Sequence, residues 1–227
     1  MNDWRKAIFV NKFIFLVVIA FLSVGSSARP SQTLPNNSTV RIQAEQTVEQ
    51  MRGFSMQLRA TARSDGRIDP IEQRRQEITA RLHHFGKEAV PALGRALSDD
   101  DVQMRRNVVL VLIDLGGGYS AEAQPKLDIR NAIPELIQAT EDSDTDVRGW
   151  AAHALAEIGP DAKEALPALL KLLKDREEGP RNTSCIALGN IGPAAKDALP
   201  ALRAALNDPS KDVRRFAERA IEKIQKK

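Results

Sequence analysis

Four stretches of the sequence repeat one phrase: AVPALGRAL at 89–97, AIPELIQAT at 132–140, ALPALLKLL at 165–173 and ALPALRAAL at 198–206. Their prolines, at positions 91, 134, 167 and 200, are 43, 33 and 33 residues apart. A repeat of this length is typical of a solenoid, in which each unit buries its apolar face against the next. With 42% hydrophobic but only 4% aromatic residues, the composition favours packed helices over strands. The sequence therefore predicts an all-α repeat array.

Two charged columns keep the same register in every unit. An aspartate stands eight residues after each proline, and an arginine stands fourteen residues after it: Asp99, Asp142, Asp175 and Asp208; Arg105, Arg148, Arg181 and Arg214. Proline suits the first helical position, and a glycine such as Gly159 suits the residue after a helix end. Each unit should thus contain two helices, the second beginning near the arginine. Because the helix dipole disfavours a cation there, we expect each arginine to pair with a column aspartate.

The units resemble HEAT repeats, specifically the short HEAT-like type described in phycobilisome lyases. The pattern is closest where Asp142 is followed by Asp146-Val147-Arg148, Ala154-Leu155 and Ile158-Gly159. The resemblance covers 89–227 and implies a right-handed α-α solenoid, in which aspartates and arginines of neighbouring units form a hydrogen-bonded ladder. The acid two positions before the arginine is present at Asp146 and Asp212, but is replaced by Gln103 and Gly179. This departure weakens any second acidic column.

The N-terminal residues have the pattern of an export signal. A basic start precedes an unbroken apolar run at 13–24, and small residues follow up to Ala28. We expect cleavage near Ala28 and an extracytoplasmic location, periplasmic or secreted; the alternative is an uncleaved N-terminal membrane anchor. The predicted organisation is a signal peptide (1–28), a linker (29–39), N-terminal helices with a degenerate leading repeat that together cap the array (40–88), and four repeats (89–131, 132–164, 165–197, 198–227).

Charge and composition exclude several classes of function. Residues 1–28 hold three of the 33 Lys/Arg and one of the 30 Asp/Glu, so the remainder has a net charge of +1. A protein that binds nucleic acid should carry an excess of Lys and Arg on its binding surface, and no such excess is predicted here. A single cysteine excludes an internal disulfide framework, and three histidines leave little material for a metal centre. No metal or cofactor is therefore expected.

The second helices divide into columns with different expected surroundings. The columns that begin at Val108 and Leu112 are small or apolar and should form the core between the helices. A neighbouring stripe is apolar in the first three units but becomes Glu218 and Glu222 in the last. Because positions covered by a following repeat turn polar where none follows, we expect this stripe to stack repeat on repeat and the array to end there.

The remaining stripe varies freely and is the candidate partner-binding surface. In HEAT arrays the second helices line the concave side, so this resemblance places the stripe there. Trp150 and Phe216 would be exposed aromatic anchors, unless Trp150 only covers an adjacent helix. The concave-face residues are Asn107, Leu110, Asp114, Trp150, His153, Glu157, Thr183, Ile186, Asn190, Phe216, Arg219 and Lys223.

The sequence contains no recognisable catalytic constellation. Trp150, His153 and Glu157 share a helix face and could imitate an acid–base site, but no nucleophile accompanies them. We therefore expect an exported, non-catalytic scaffold that binds a protein partner through its concave face. The alternatives are a chromophore- or small-molecule-handling protein similar to phycobilisome lyases and, less favoured by charge, a DNA-binding HEAT array.

The spacing between the first two units contains ten extra residues, between Gly116 and Pro134. They include three consecutive glycines and Tyr119, the chain's one tyrosine. An insertion in a solenoid maps to a connecting loop. It is either a tolerated insertion without a role, which we favour, or a loop that contributes to binding.

Overall fold

Paired helices follow one another along the chain in the computed structural model, which describes residues 37–52, 70–117 and 126–226. Within these ranges there are ten α-helices and no strand. The predicted signal peptide and most of the predicted linker lie outside the described residues. The helices are α1 (Asn37–Glu49), α2 (Pro70–Phe85), α3 (Val90–Ala96), α4 (Val102–Gly116), α5 (Ile133–Ala139), α6 (Thr145–Ile158), α7 (Leu166–Leu172), α8 (Glu178–Ile191), α9 (Leu199–Ala205) and α10 (Lys211–Gln225).

Each of the four units is a short first helix followed by a longer second helix. A 3₁₀ segment precedes every first helix: Gly86–Ala89, Arg130–Ala132, Gly159–Ala165 and Gly192–Ala198. The repeated prolines occupy the second helical position, one residue later than predicted. That amide also has no partner within the helix, so the proline still loses no hydrogen bond.

Glycines end three of the second helices. Gly159 and Gly192 have φ near +71° and +72° with ψ of −132° and −141°, a backbone region that is essentially restricted to glycine. In the first unit the second helix continues through Gly116. Gly117, with φ 98°, is the left-handed residue there, and its amide donates to the carbonyls of Ile113 and Asp114.

The second helices stack on one another, α4 on α6, α6 on α8 and α8 on α10. The predicted core columns are buried: Val108, Ala151, Ser184, Ala217, Leu112, Leu155 and Leu188 have no exposed surface. Ile221 is only partly buried. The buried Ser184 hydroxyl is satisfied, since it donates to the carbonyl of Leu169 at 2.6 Å. The expected all-α solenoid is confirmed.

The repeat-on-repeat stripe is buried where it was expected to be. Val109, Ile113, Ala152 and Cys185 have no exposed surface, whereas Glu218 and Glu222 on α10 are exposed. A described helix covers the stripe in the first three units, and none covers it in the fourth. This contrast explains the change from apolar to acidic residues.

The first helix of the structure packs onto α2 and α3. Its apolar positions Ala44 and Val48, with Met51 beyond it, are buried. Exposed ion pairs, Arg41 to Glu88 among them, accompany this packing. Helix α1 therefore packs its apolar face against the N-terminal end of the array.

Candidate functional site

A ladder of ion pairs runs along the array on the aspartate and arginine columns. Each internal arginine forms a bidentate pair with the aspartate of the following unit. The distances from Nε and Nη2 to the two carboxylate oxygens are 2.6 and 2.9 Å for Arg105–Asp142, 2.7 and 3.1 Å for Arg148–Asp175, and 2.9 and 3.0 Å for Arg181–Asp208. These side chains are only 10–14% exposed. The ladder thus joins units through charge-assisted hydrogen bonds at sites largely shielded from water.

Backbone groups hold each rung in place. The Nη1 atom of Arg148 donates to the carbonyls of Asp142 and Ser143, at 3.0 and 3.1 Å. The carboxylate of Asp175 also accepts a hydrogen bond from the amide of Glu177, at 2.8 Å. Burial raises the pKa of Asp175, but the hydrogen bonds from Arg148 and from this amide outweigh it, so the pKa lies below its usual value. Every rung is therefore ionised at neutral pH.

The two ends of the ladder differ from its middle. Asp99, in the first unit, pairs with Arg52, whose Nη1 and Nη2 lie 3.1 and 2.7 Å from its carboxylate oxygens. Arg52 follows α1, outside the repeat register, so no sequence signal marked it. At the other end Arg214 donates to the carbonyls of Asp208 and Pro209. Within the part of the chain that is described, Arg214 forms no ion pair with a carboxylate.

A second rung joins the first two units. Arg106 donates through Nε to Asp144 at 2.9 Å and lies 3.3 Å from Asp146. Sequence reasoning missed this pair, because the second acidic column is incomplete. The dipeptide Arg105-Arg106, which recurs as Arg214-Arg215, is the signal that could have found it.

Three of the predicted concave-face residues are not available to a partner. Asn107, Leu110 and Asp114 are 0%, 2% and 7% exposed, so the prediction that they lie on an open surface was wrong. The chain leaving α1 lies against the start of α4, where Asn107 donates to the carbonyl of Met51 at 2.8 Å. Helix α2 also packs on α4. The N-terminal segments thus pack against the predicted concave-face positions of the first unit.

The other nine residues remain at the surface on three successive second helices, and we call them the inner stripe. They are Trp150, His153 and Glu157 on α6, Thr183, Ile186 and Asn190 on α8, and Phe216, Arg219 and Lys223 on α10. Trp150, Ile186 and Phe216 are half-buried and pack against the edge of the core, while Arg219 and Lys223 are exposed. Trp150 therefore covers its neighbours and still presents part of its ring to solvent.

Hydrogen bonds connect the inner stripe from helix to helix. Lys223 Nζ donates to Asn190 Oδ1 at 2.7 Å, and Asn190 Nδ2 donates to the carbonyl of Ala156 at 3.0 Å. The polar residues at this edge of α6, α8 and α10 are therefore held in fixed positions.

The insertion reaches the inner stripe at α6. The amide of Leu127 donates to the carbonyl of Leu115, and Lys126 Nζ lies 3.7 Å from Glu157 Oε2. Glu157 also lies 3.6 Å from the Nε2 atom of His153. Tyr119 lies outside the described residues. The described end of the insertion therefore adjoins the candidate surface.

Burial favours the neutral forms of two side chains, His153 of the inner stripe and the core residue Cys185. Burial lowers the pKa of His153, and Glu157 only partly opposes this effect. Burial also raises the pKa of the Cys185 thiol to about 12, which keeps it a poor nucleophile. Residues 37–52, 70–117 and 126–226 contain no cluster of three His, Cys, Asp or Glu side chains that could hold a metal ion. No helix in these ranges is both long and apolar enough to cross a membrane.

Residues 133–222 match the family model of HEAT repeats. No curated protein sequence matches the chain at a significant level. Among solved structures, the complex of CpcE and CpcF of phycocyanin lyase from Nostoc sp. PCC7120 is similar at 25% identity and a TM-score of 0.53, over 90% of this chain and 71% of that chain. A designed armadillo repeat protein in complex with the peptide (KR)4 is 20% identical, with a TM-score of 0.53 over 84% of this chain and 87% of that one.

Proposed function

We propose that this chain, whose residues 133–222 are HEAT repeats within an α-α solenoid, is a non-catalytic scaffold that binds a protein partner through the inner stripe. Repeat solenoids offer extended, rigid surfaces on which a partner meets side chains from several units at once. The inner stripe has this form, since it takes three residues from each of three stacked helices. We infer that it lies on the concave side of the array, where HEAT proteins carry their second helices.

The observation that carries the proposal is the row of half-buried apolar side chains at this edge. Trp150 and Phe216 occupy the same register on α6 and α10, and Ile186 lies on α8 between them. Aromatic side chains anchored by packing lose little conformational entropy when a partner covers them, and they dominate the energetics of protein interfaces. Each aromatic anchor is expected to contribute about 2 kcal/mol or more to binding.

Charge around Phe216 indicates the character of the partner. The guanidinium of Arg215 lies 4.9 Å from the centre of the Phe216 ring, and Arg219 is exposed. Lys223 donates to the neutral side-chain oxygen of Asn190, so no carboxylate offsets its charge in this contact. The designed armadillo neighbour is in complex with a basic peptide, (KR)4. The cations beside Phe216 favour the opposite sign, so we infer a partner segment with apolar residues and an acidic end.

An affinity experiment on the full chain tests the proposal. We would compare capture of partners by the wild type and by a Trp150→Ala, Phe216→Ala variant, with Ile42→Ala, Val102→Ala as the matched control. Ile42 and Val102 are 55% and 38% exposed and lie outside the inner stripe. A specific partner should be lost at least tenfold with the first variant and retained with the control. Equal capture by all three proteins would reject the inner stripe as the binding surface.

A second candidate function is chromophore or small-molecule handling, and the likeness to the CpcE–CpcF complex favours it. Incubation of the full chain with a bilin separates the two candidates. A covalent adduct, or a spectral shift that persists on gel filtration, would support the lyase-like function. An unchanged bilin spectrum together with specific protein capture would support the scaffold.

We further propose that the protein is exported and acts outside the cytoplasm. The basic start, the apolar run at 13–24 and the small residues up to Ala28 support this location. N-terminal sequencing of the protein from cell fractions tests the proposal. A mature N-terminus near Arg29 in an extracytoplasmic fraction is the expected result, and intact Met1 in the cytosolic fraction would contradict it.

A further inference from the structure

Arg214, the last arginine of the ladder, is positioned to bind a carboxylate, but the described residues do not supply one. Nη1 of Arg214 donates to the carbonyls of Asp208 and Pro209, at 2.6 and 2.9 Å. The internal arginines donate in the same way, as Arg181 does to the carbonyls of Asp175 and Arg176 at 2.9 and 3.1 Å. In them, Nε and Nη2 then bind an aspartate of the next unit. The carbonyls of its own unit thus hold Nη1 of Arg214. The opposite edge of the guanidinium, formed by Nε and Nη2, is directed away from that unit.

The first two units show how an arginine pair binds its ligand. Arg105 and Arg106 together bind the Asp142-Ser143-Asp144 turn, Arg105 through both oxygens of Asp142 and Arg106 through both oxygens of Asp144. The amide of Asp144 donates to Asp142 at 2.8 Å and keeps the two carboxylates in one turn. The pair Arg214-Arg215 occupies the same register in the fourth unit. Its register is therefore that of an arginine pair that binds an Asp-x-Asp turn.

An exposed leucine, Leu206, also precedes the arginine pair in the fourth unit. Leu206 stands two residues before the column aspartate Asp208 and is 39% exposed. The residues at this register in the other units, Leu97, Thr140 and Leu173, are only 3%, 3% and 7% exposed. Following units shield the position wherever they are present. Leu206 and the arginine edge together form an incomplete contact surface, which we call the end face (Leu206, Arg214, Arg215).

We propose that the end face binds an Asp-x-Asp turn of a separate polypeptide. The two carboxylates take the positions that Asp142 and Asp144 hold on Arg105 and Arg106, and an adjoining apolar side chain covers Leu206. A second copy of this chain does not fit, because its Asp-x-Asp turns lie at 99–101 and 142–146 and are already engaged within the array. The end face adjoins the inner stripe, since Arg215 lies over the ring of Phe216, but its occupation does not depend on the proposed scaffold function.

The acidic residues of α10 disfavour an apolar helix as the partner at this end of the array. Glu218 and Glu222 stand where the other units carry the buried apolar stripe, and both are exposed. An apolar helix stacked there would desolvate two carboxylates at a large cost. Arg215 also pairs with Asp212 at 2.9 Å, and this exposed pair must open or share its arginine on binding. The contact is thus polar and reversible, unlike the repeat-to-repeat contacts within the array.

Arginine side-chain NMR on the full chain tests the proposal. The probe is a cyclised peptide with the sequence of residues 139–147, ATEDSDTDV, in which cyclisation holds the turn. Its control carries Asn in place of both aspartates of Asp142-Ser143-Asp144. We expect saturable shifts of the Nε–H signals of Arg214 and Arg215 with a dissociation constant on the order of 1 mM, as befits two ion pairs, and weakening at high salt. The Asn peptide should bind at least tenfold more weakly.

Two variants make the result decisive. In an Arg214→Lys, Arg215→Lys variant, with binding followed through the amide signals of the labelled peptide, the charge remains but the planar guanidinium is lost, so binding should fall at least fivefold. Trp150→Ala should leave peptide binding unchanged, which separates this site from the inner stripe. The proposal is overturned by the absence of a saturable shift at 10 mM peptide. It is equally overturned by uniform shifts of all exposed arginines, or by full binding to the lysine variant.

Discussion

Removal of one internal rung should destabilise the whole array. Arg148 is 8% exposed and donates to both oxygens of Asp175, to two backbone carbonyls and, at 3.4 Å, to the hydroxyl of Thr145. An Arg148→Ala variant leaves the Asp175 carboxylate, 11% exposed, with one amide donor at 2.8 Å. The cost therefore arises mainly from a poorly solvated charge that has lost its partner.

The magnitude follows from the exposure of the pair. Loss of one partner of a fully buried ion pair costs about 3–5 kcal/mol, and an exposed pair contributes about 0–1 kcal/mol. Both side chains retain about a tenth of their exposure, so water reaches the orphaned carboxylate in part. We expect a loss of about 2–4 kcal/mol in the free energy of unfolding, which is roughly 5–12 °C in Tm for a chain of this size.

Arg214→Ala is the matched control, because Arg214 makes the same two carbonyl contacts without a carboxylate partner. It should cost about 1 kcal/mol. Urea unfolding of wild type and both variants, followed by far-UV circular dichroism, measures the difference. A double-mutant cycle with Asp175→Ala should give a coupling energy of at least 1 kcal/mol between Arg148 and Asp175. If Arg148→Ala costs no more than Arg214→Ala, the carboxylate rung does not stabilise the array.

Three further results are expected. The pKa of each ladder aspartate lies below the usual 3.8, so the ladder stabilises the fold above that pH and loses its effect as the pH falls through the native pKa. Urea midpoints measured between pH 7 and pH 3 should therefore fall more steeply for the wild type than for Arg148→Ala. Gly192→Ala should cost about 1–3 kcal/mol in the same urea assay, because φ there is +72°. Gly179→Ala, at an open helical position directly before Pro180, should change the free energy of unfolding by less than about 1 kcal/mol, and equal effects of the two substitutions would contradict the backbone argument. The Cys185 thiol should not react with a thiol reagent at pH 8 until the protein is unfolded in urea, and reaction at native conditions would show that the core opens there.

The features that recur in every unit were predictable from the amino-acid sequence. The period of the proline phrases predicted paired helices, and small or apolar columns such as that of Val108 predicted the core. The change to Glu218 and Glu222 predicted which stripe is buried between units. These inferences succeeded because each depends on helix periodicity and on a neighbour that has nearly the same sequence as the unit itself. A regular array makes the surroundings of an internal residue predictable.

The surroundings of residues at the ends of the array could not be predicted from the repeat pattern. Asn107, Leu110 and Asp114 follow the register of exposed positions, but the N-terminal helices pack on α4, and these three residues are buried. Arg52 closes the ladder on Asp99 from 47 positions away, in a segment without the repeat pattern. The neighbours at an end come from unrelated sequence, so the repeat pattern contains no information about them. The surroundings of such residues depend on how distant segments pack, and periodicity describes only local structure.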